Sequence, residues 1–124
     1  TVGENCFIFE NNVLQHHVHV GNNVILWSGN HIGHRSVIKD HCFISSHAVI
    51  AGNCEIGESC FIGINSTIND EIKIGKDCFI SSGALIIKNT EEGKIYKGSP
   101  AKASPVDVYK YFNIDSEHVF NENH

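Results

Sequence analysis

Residues 50–68 read Ile50-Ala51-Gly52-Asn53-Cys54-Glu55-Ile56-Gly57-Glu58-Ser59-Cys60-Phe61-Ile62-Gly63-Ile64-Asn65-Ser66-Thr67-Ile68, one six-residue word spoken three times. Each word opens on isoleucine and carries a cysteine or serine four places later. Stepping outward by six in both directions, the aliphatic position recurs from Val2 through Ile8, Leu14, Val20, Leu26, Ile32, Ile38 and Ile44 to Ile74, Ile80 and Ile86, fifteen times without a slip. The companion position holds mostly small residues, including all five cysteines, Cys6, Cys42, Cys54, Cys60 and Cys78. One large and one small inward side chain per hexad is the pattern of a parallel β-helix, in which only neighbouring coils touch. Three hexads to a coil give five coils over residues 2 to 91, and positions 18 apart then face each other at about 4.8 Å.

Composition narrows the function classes. The chain has 124 residues and a net charge of −5. No basic face announces a nucleic-acid binder, and no apolar run approaches the roughly 18 residues of a membrane span. The cysteines are odd in number and point inward, which favours free thiols in a reducing, cytoplasmic compartment. Terminal repeats of solenoids carry caps, and none precedes Val2, so further chain upstream is expected.

The hexads stop at the polar stretch Asn89-Thr90-Glu91-Glu92-Gly93, leaving 92–124 as a tail. Ser104, Pro105 and Asp107 predict the start of a short helix with Val108, Tyr111 and Phe112 on one side, packed on the column. Fraying is expected from Ser116. On the outside of the column, Phe7, Ile25, Phe43, Phe61 and Phe79 fall in one line, an apolar stripe that a neighbouring subunit or the chain's own C-terminal segment must cover.

Nine histidines are present, six of them between His16 and His41. The 18-residue rule aligns His16, His34, Gly52 and Asp70. An imidazole beside a side-chain-free backbone suits a base next to an amide donor: His34 removes a proton while a reacting carbonyl bonds to Gly52 N–H. The alternative is that His34 is a solvated corner residue. His31, His41 and His47 read as surface or interface hydrogen bonders, and Trp27 as a ring that stacks on a ligand or fills a contact. His16, His17 and His19 make a poor metal set, because adjacent strand positions point to opposite sides.

Asn30-His31-Ile32-Gly33-His34, Phe43-Ile44-Ser45-Ser46-His47-Ala48-Val49-Ile50-Ala51-Gly52-Asn53, the hexads from Ile56 to Ser66, and Gly98-Ser99-Pro100-Ala101-Lys102 resemble the hexapeptide-repeat acetyltransferases. The branch they resemble holds the sialic-acid O-acetyltransferases and the N-acetyltransferases of nucleotide-linked 4-amino-sugars. The resemblance implies an all-β, left-handed parallel β-helix, a homotrimer, and acetyl-CoA lying in a groove between two columns, with an N-terminal sugar-nucleotide domain upstream in many members. It also implies that His34 is the general base toward a sugar amine or hydroxyl, that Gly52 holds the acetyl oxygen, and that no metal takes part. His16, Trp27, His31 and Arg35 are then candidates to contact the acceptor, and Gly52, Lys88, Lys97 and Lys102, with Lys94 nearby, to contact CoA. Many members carry an acid after the catalytic histidine where this chain has Arg35, so Asp40 or a neighbouring chain's carboxylate is expected to orient His34, or Arg35 to meet a phosphate. Two other readings stay open: a non-catalytic interaction module, and a γ-type carbonic-anhydrase-like zinc enzyme, for which the required pair of histidines five residues apart is missing.

Overall fold

A computed structural model describes residues 1–98, 100 and 103–114. The chain winds as a triangular prism of two-residue parallel strands, one strand per hexad. The first wall stacks Phe7–Ile8, Ile25–Leu26, Phe43–Ile44, Phe61–Ile62, Phe79–Ile80 and Ile95–Tyr96. The second stacks Val13–Leu14, His31–Ile32, Val49–Ile50, Thr67–Ile68 and Leu85–Ile86; the third, His19–Val20, Val37–Ile38, Glu55–Ile56 and Lys73–Ile74. Ile32 pairs with Ile50 and Ile50 with Ile68, the 18-residue register the hexads demand.

β-branched side chains fit a flat wall of closely spaced strands, and the hexad isoleucines at every sixth position from Ile32 to Ile68, with Leu26 and Ile80, are completely buried in the central column. At the first coil Val2 and Ile8 remain 51% and 41% exposed. All five cysteines are free thiols. Each donates to a carbonyl of the adjoining coil, as Cys42 does to Gly57 O at 3.0 Å and Cys54 to Asn69 O at 2.9 Å. A hydrogen bond shared with Cys60, and then burial, pushes the Cys42 thiol well above its ordinary range; the same bond lowers Cys60, and burial raises Cys54.

Each corner turns through one residue with positive φ, recurring every six positions from Asn5 (φ 55°) to Gly83 (φ 70°), with Gly29 also at one of the places. Asn, Asp, His and Gly dominate there because they tolerate the left-handed region best. His17, His41 and His47 occupy such corners, so part of the histidine surplus is turn chemistry.

Two expectations change at the C-terminal side. Ile95–Tyr96 is a strand on the first wall, in register with Phe79–Ile80 at a spacing of 16 residues. The column thus runs past residue 91, with the third wall skipped by a shortened crossing. The helix is the single turn Val108–Tyr111, capped by Asp107, whose carboxylate accepts from Lys110 N–H at 2.8 Å. Ser104 instead accepts from Val106 N–H at 3.2 Å. One turn cannot bury an apolar side: Val108, Tyr111 and Phe112 stay exposed, so the expected packing on the column is not made. The region from Ser116 lies outside the described residues.

Candidate active site

His34 stands on the edge where the second wall turns into the third, between Ile32 and Val37. Its backbone N–H donates to Gln15 Oε1 at 2.9 Å. Ser36, fully buried two residues later, donates to Ala51 O at 2.8 Å and accepts from Cys54 N–H at 3.0 Å. The hydroxyl therefore pins the His34 corner to the following coil on both sides of Gly52.

The half-buried imidazole lies in the space that a side chain at residue 52 would fill. A Cβ built on Gly52 would sit 2.5 Å from His34 Cε1 and 2.7 Å from Nε2. The other face of the ring stacks on His16, centroids 5.7 Å apart and planes 9° apart. Asn53 Nδ2 stands 3.5 Å from His34 Nε2, at the limit of a hydrogen bond. Glycine at 52 is thus a spatial requirement for the imidazole.

Gly52 N–H points toward the next coil, where it donates to Asp70 Oδ1 at 3.1 Å. Asp40, expected to orient His34, is on a different edge, where its carboxylate accepts from Asn22 N–H at 2.7 Å. Among the described residues, Asn53 is the side chain at hydrogen-bond distance from the His34 ring. Asn53, Gln15 and Ser36 escaped the sequence reading because each occupies a register position that tolerates many polar residues. The 18-residue rule does bring Gln15 and Asn53 to the coils adjoining His34, while Ser36 lies two residues on in the same coil.

The other candidates divide. His16 joins His34, while Arg35 occupies the next corner position with φ 57° and an exposed side chain. His31 is half-buried on the second wall between Val13 and Val49. Trp27 belongs to the edge between first and second walls, stacked on Phe9 at 4.4 Å and tilted against Phe43 at 6.4 Å, so one chain does not bring it to His34. Lys88 follows Ile86 on the His34 edge, one coil past Asp70, whereas Lys97 follows the last strand of the first wall. Lys102 lies outside the described residues. An open groove of about 440 Å³ on the third wall is lined by Lys39, Glu55, Glu58, Lys73 and Lys76 and does not include His34. No three His, Cys, Asp or Glu side chains gather as a metal set among the described residues.

Hexads wound into a three-walled parallel solenoid, with an imidazole over a glycine on one edge, define a class, and the chain belongs to it. It is a member of the bacterial transferase hexapeptide (six repeats) family, matched over residues 1–34 and 53–88. The structure carries the hexads without interruption through the intervening residues. Among solved structures, LpxA from Acinetobacter baumannii is similar at 24% identity and a TM-score of 0.63, over 87% of this chain and 47% of that one. PerB from Caulobacter crescentus, in complex with CoA and GDP-perosamine, is similar at 19% identity and a TM-score of 0.56, over 77% and 57%. A histidine-to-asparagine variant of the perosamine N-acetyltransferase of that organism, also with CoA and GDP-perosamine, gives 19% and 0.50 over 77% and 56%. These likenesses are of fold, and the chain spans about half the length of those relatives. No curated protein sequence matches it.

Proposed function

We propose that the protein is an acetyl-CoA-dependent acetyltransferase acting on a sugar, in the first place the amine of a nucleotide-linked amino-sugar. The observation that carries the reading is the His34 imidazole seated against Gly52, whose backbone N–H faces the adjoining coil, where it donates to Asp70 Oδ1. His34 takes a proton from the acceptor amine or hydroxyl as that group attacks the thioester carbonyl. The new C–N or C–O bond forms, the C–S bond breaks, and the CoA thiolate leaves and regains a proton from the imidazolium. Gly52 N–H donates to the oxygen that becomes negative during the attack. The cysteines stay out of the chemistry, since Cys42, Cys54, Cys60 and Cys78 are buried in the column away from any substrate, and Cys42 and Cys54 are also held above their usual range.

Two further features support the setting. The stripe Phe7, Ile25, Phe43, Phe61 and Phe79 is aligned strand by strand on the first wall, and Phe43, Phe61 and Phe79 stack in turn at 5.3 and 4.7 Å. Phe7 and Phe79 remain 58% and 45% exposed, and the Val108–Tyr111 turn has no buried residue. A trimer of this chain covers such a wall and makes the groove in which acetyl-CoA and acceptor meet. His16, His31, Trp27 and Arg35 are proposed for the acceptor, and Lys97 and Lys102 for the CoA phosphates. No helix among the described residues is long and apolar enough to cross a membrane, and five free thiols suit a cytoplasmic enzyme. The test is thiol release from acetyl-CoA in the presence of nucleotide-linked 4-amino-sugars. Acetylated sugar and free CoA in equal amounts support the reading, and no release with any amino-sugar or sialic-acid acceptor removes it.

A further inference from the structure

The amide that the reaction needs is already occupied. Gly52 N–H donates to the Asp70 carboxylate at 3.1 Å, and a carboxylate is a stronger acceptor than the neutral carbonyl of a thioester. Capping a corner amide from the adjoining coil is a device this solenoid uses elsewhere: Asn22 caps Glu4 N–H at 2.8 Å, and Asp40 caps Asn22 N–H at 2.7 Å. Asp70 differs because its target lies against the His34 imidazole. An acyl oxygen and the Asp70 carboxylate cannot both take the single N–H, and two negative oxygens side by side would repel once the carbonyl oxygen gains charge. Asp70 is exposed and makes no ion pair among the described residues, where its side chain is held by this hydrogen bond. One coil further along the same edge stands Lys88, exposed and likewise without an ion pair among the described residues.

Resting on the function proposed above, we infer that Asp70 is a positioning residue that competes with the acyl group for Gly52 N–H, and that Lys88 receives its carboxylate when the acyl donor binds. Free protein keeps the amide satisfied and the edge ordered; donor binding exchanges the carboxylate for the acyl oxygen. The same carboxylate disfavours acyl groups that carry a negative charge of their own, such as succinyl.

The experiment measures steady-state thiol release by the whole chain and its Asp70→Ala and Asp70→Asn variants, each checked for its melting temperature. Asp70→Ala opens the amide and is expected to lower KM for acetyl-CoA several-fold without lowering kcat. Asp70→Asn keeps the shape and the cap but removes the charge, and is expected to lower KM less and to relax the bias against succinyl-CoA. A double-mutant cycle assigns Lys88: Lys88→Ala raises KM in the native background and has little effect when Asp70 is already alanine. Unchanged or raised KM in both Asp70 variants, or a fall in kcat at constant KM, overturns the competition and leaves Asp70 a structural cap. A Lys88 effect that persists in the Asp70→Ala background overturns its part and returns it to phosphate binding. If native protein turns over and these outcomes fail, only this inference falls; if native protein releases no thiol, the acetyltransferase reading falls with it.

Discussion

Replacing Gly52 by alanine puts the geometry of the proposed site to a quantitative test. The new Cβ would stand 2.5 Å from His34 Cε1, against the 3.4 Å at which ordinary contact begins, so the ring must retreat by 3.4 − 2.5 = 0.9 Å. The Gly52 backbone is not in the positive-φ region and alanine adopts it without strain. The half-buried imidazole can swing outward at small cost to the fold. A displacement near 1 Å at a reacting group costs about 10²-fold in rate, or about 2.7 kcal/mol in the barrier. Gly52→Ala is therefore expected to keep a near-native melting temperature while kcat/KM for thiol release falls by about 10². Gly33→Ala is the contrasting case. Its Cβ would meet backbone, 2.5 Å from Ala51 C and 2.6 Å from Gly52 N, which cannot step aside; it is expected to lose stability before activity. Near-native turnover by a folded Gly52→Ala protein refutes the placement of the imidazole as the reason for glycine there.

Ser36→Ala leaves Cys54 N–H and Ala51 O without their shared hydroxyl in a buried corner, and chemical denaturation is expected to show a loss of about 1–3 kcal/mol. Ile50→Ala empties part of a completely buried column and is expected to cost about 2–5 kcal/mol by the same measurement. The pH dependence follows from the thiols. Burial makes Cys54 titrate higher in the folded chain than in the unfolded one, so its contribution is complete below the unfolded value of about 8.5 and fades as pH climbs above it. The melting temperature is expected to fall on the alkaline side, and less steeply in Cys54→Ala; an equally steep fall in that variant would contradict the assignment.

Much of the architecture was legible because each hexad repeats one physical instruction. Ile32, Ile50 and Ile68 point inward at intervals of 18 residues, and their pairing in the second wall is what that interval requires. The alignment of His16, His34 and Gly52 came from the same arithmetic. Detail failed where the arithmetic no longer governs. Ile95–Tyr96 rejoins the first wall at a spacing of 16, which the broken repeat after Ile86 conceals. The helix start passed from Ser104 to Asp107 because several residues in a row can cap. The corner code was readable but unused: asparagines at 5, 11, 23, 53 and 65 mark the positive-φ places, and that periodicity would have identified His17, His41 and His47 as corner residues. Asp70 as the partner of Gly52 N–H was beyond the sequence, since an aspartate two coils from His34 can turn to solvent as readily as to a backbone amide.

The central claim is that one imidazole on one edge of the column moves the proton. Its most direct test is turnover of acetyl-CoA with an amino-sugar by native protein and by His34→Ala, compared at equal folded concentration and matched melting temperature. A loss of about 10²- to 10⁴-fold with the fold intact is the expected result; turnover that survives removal of the imidazole contradicts it.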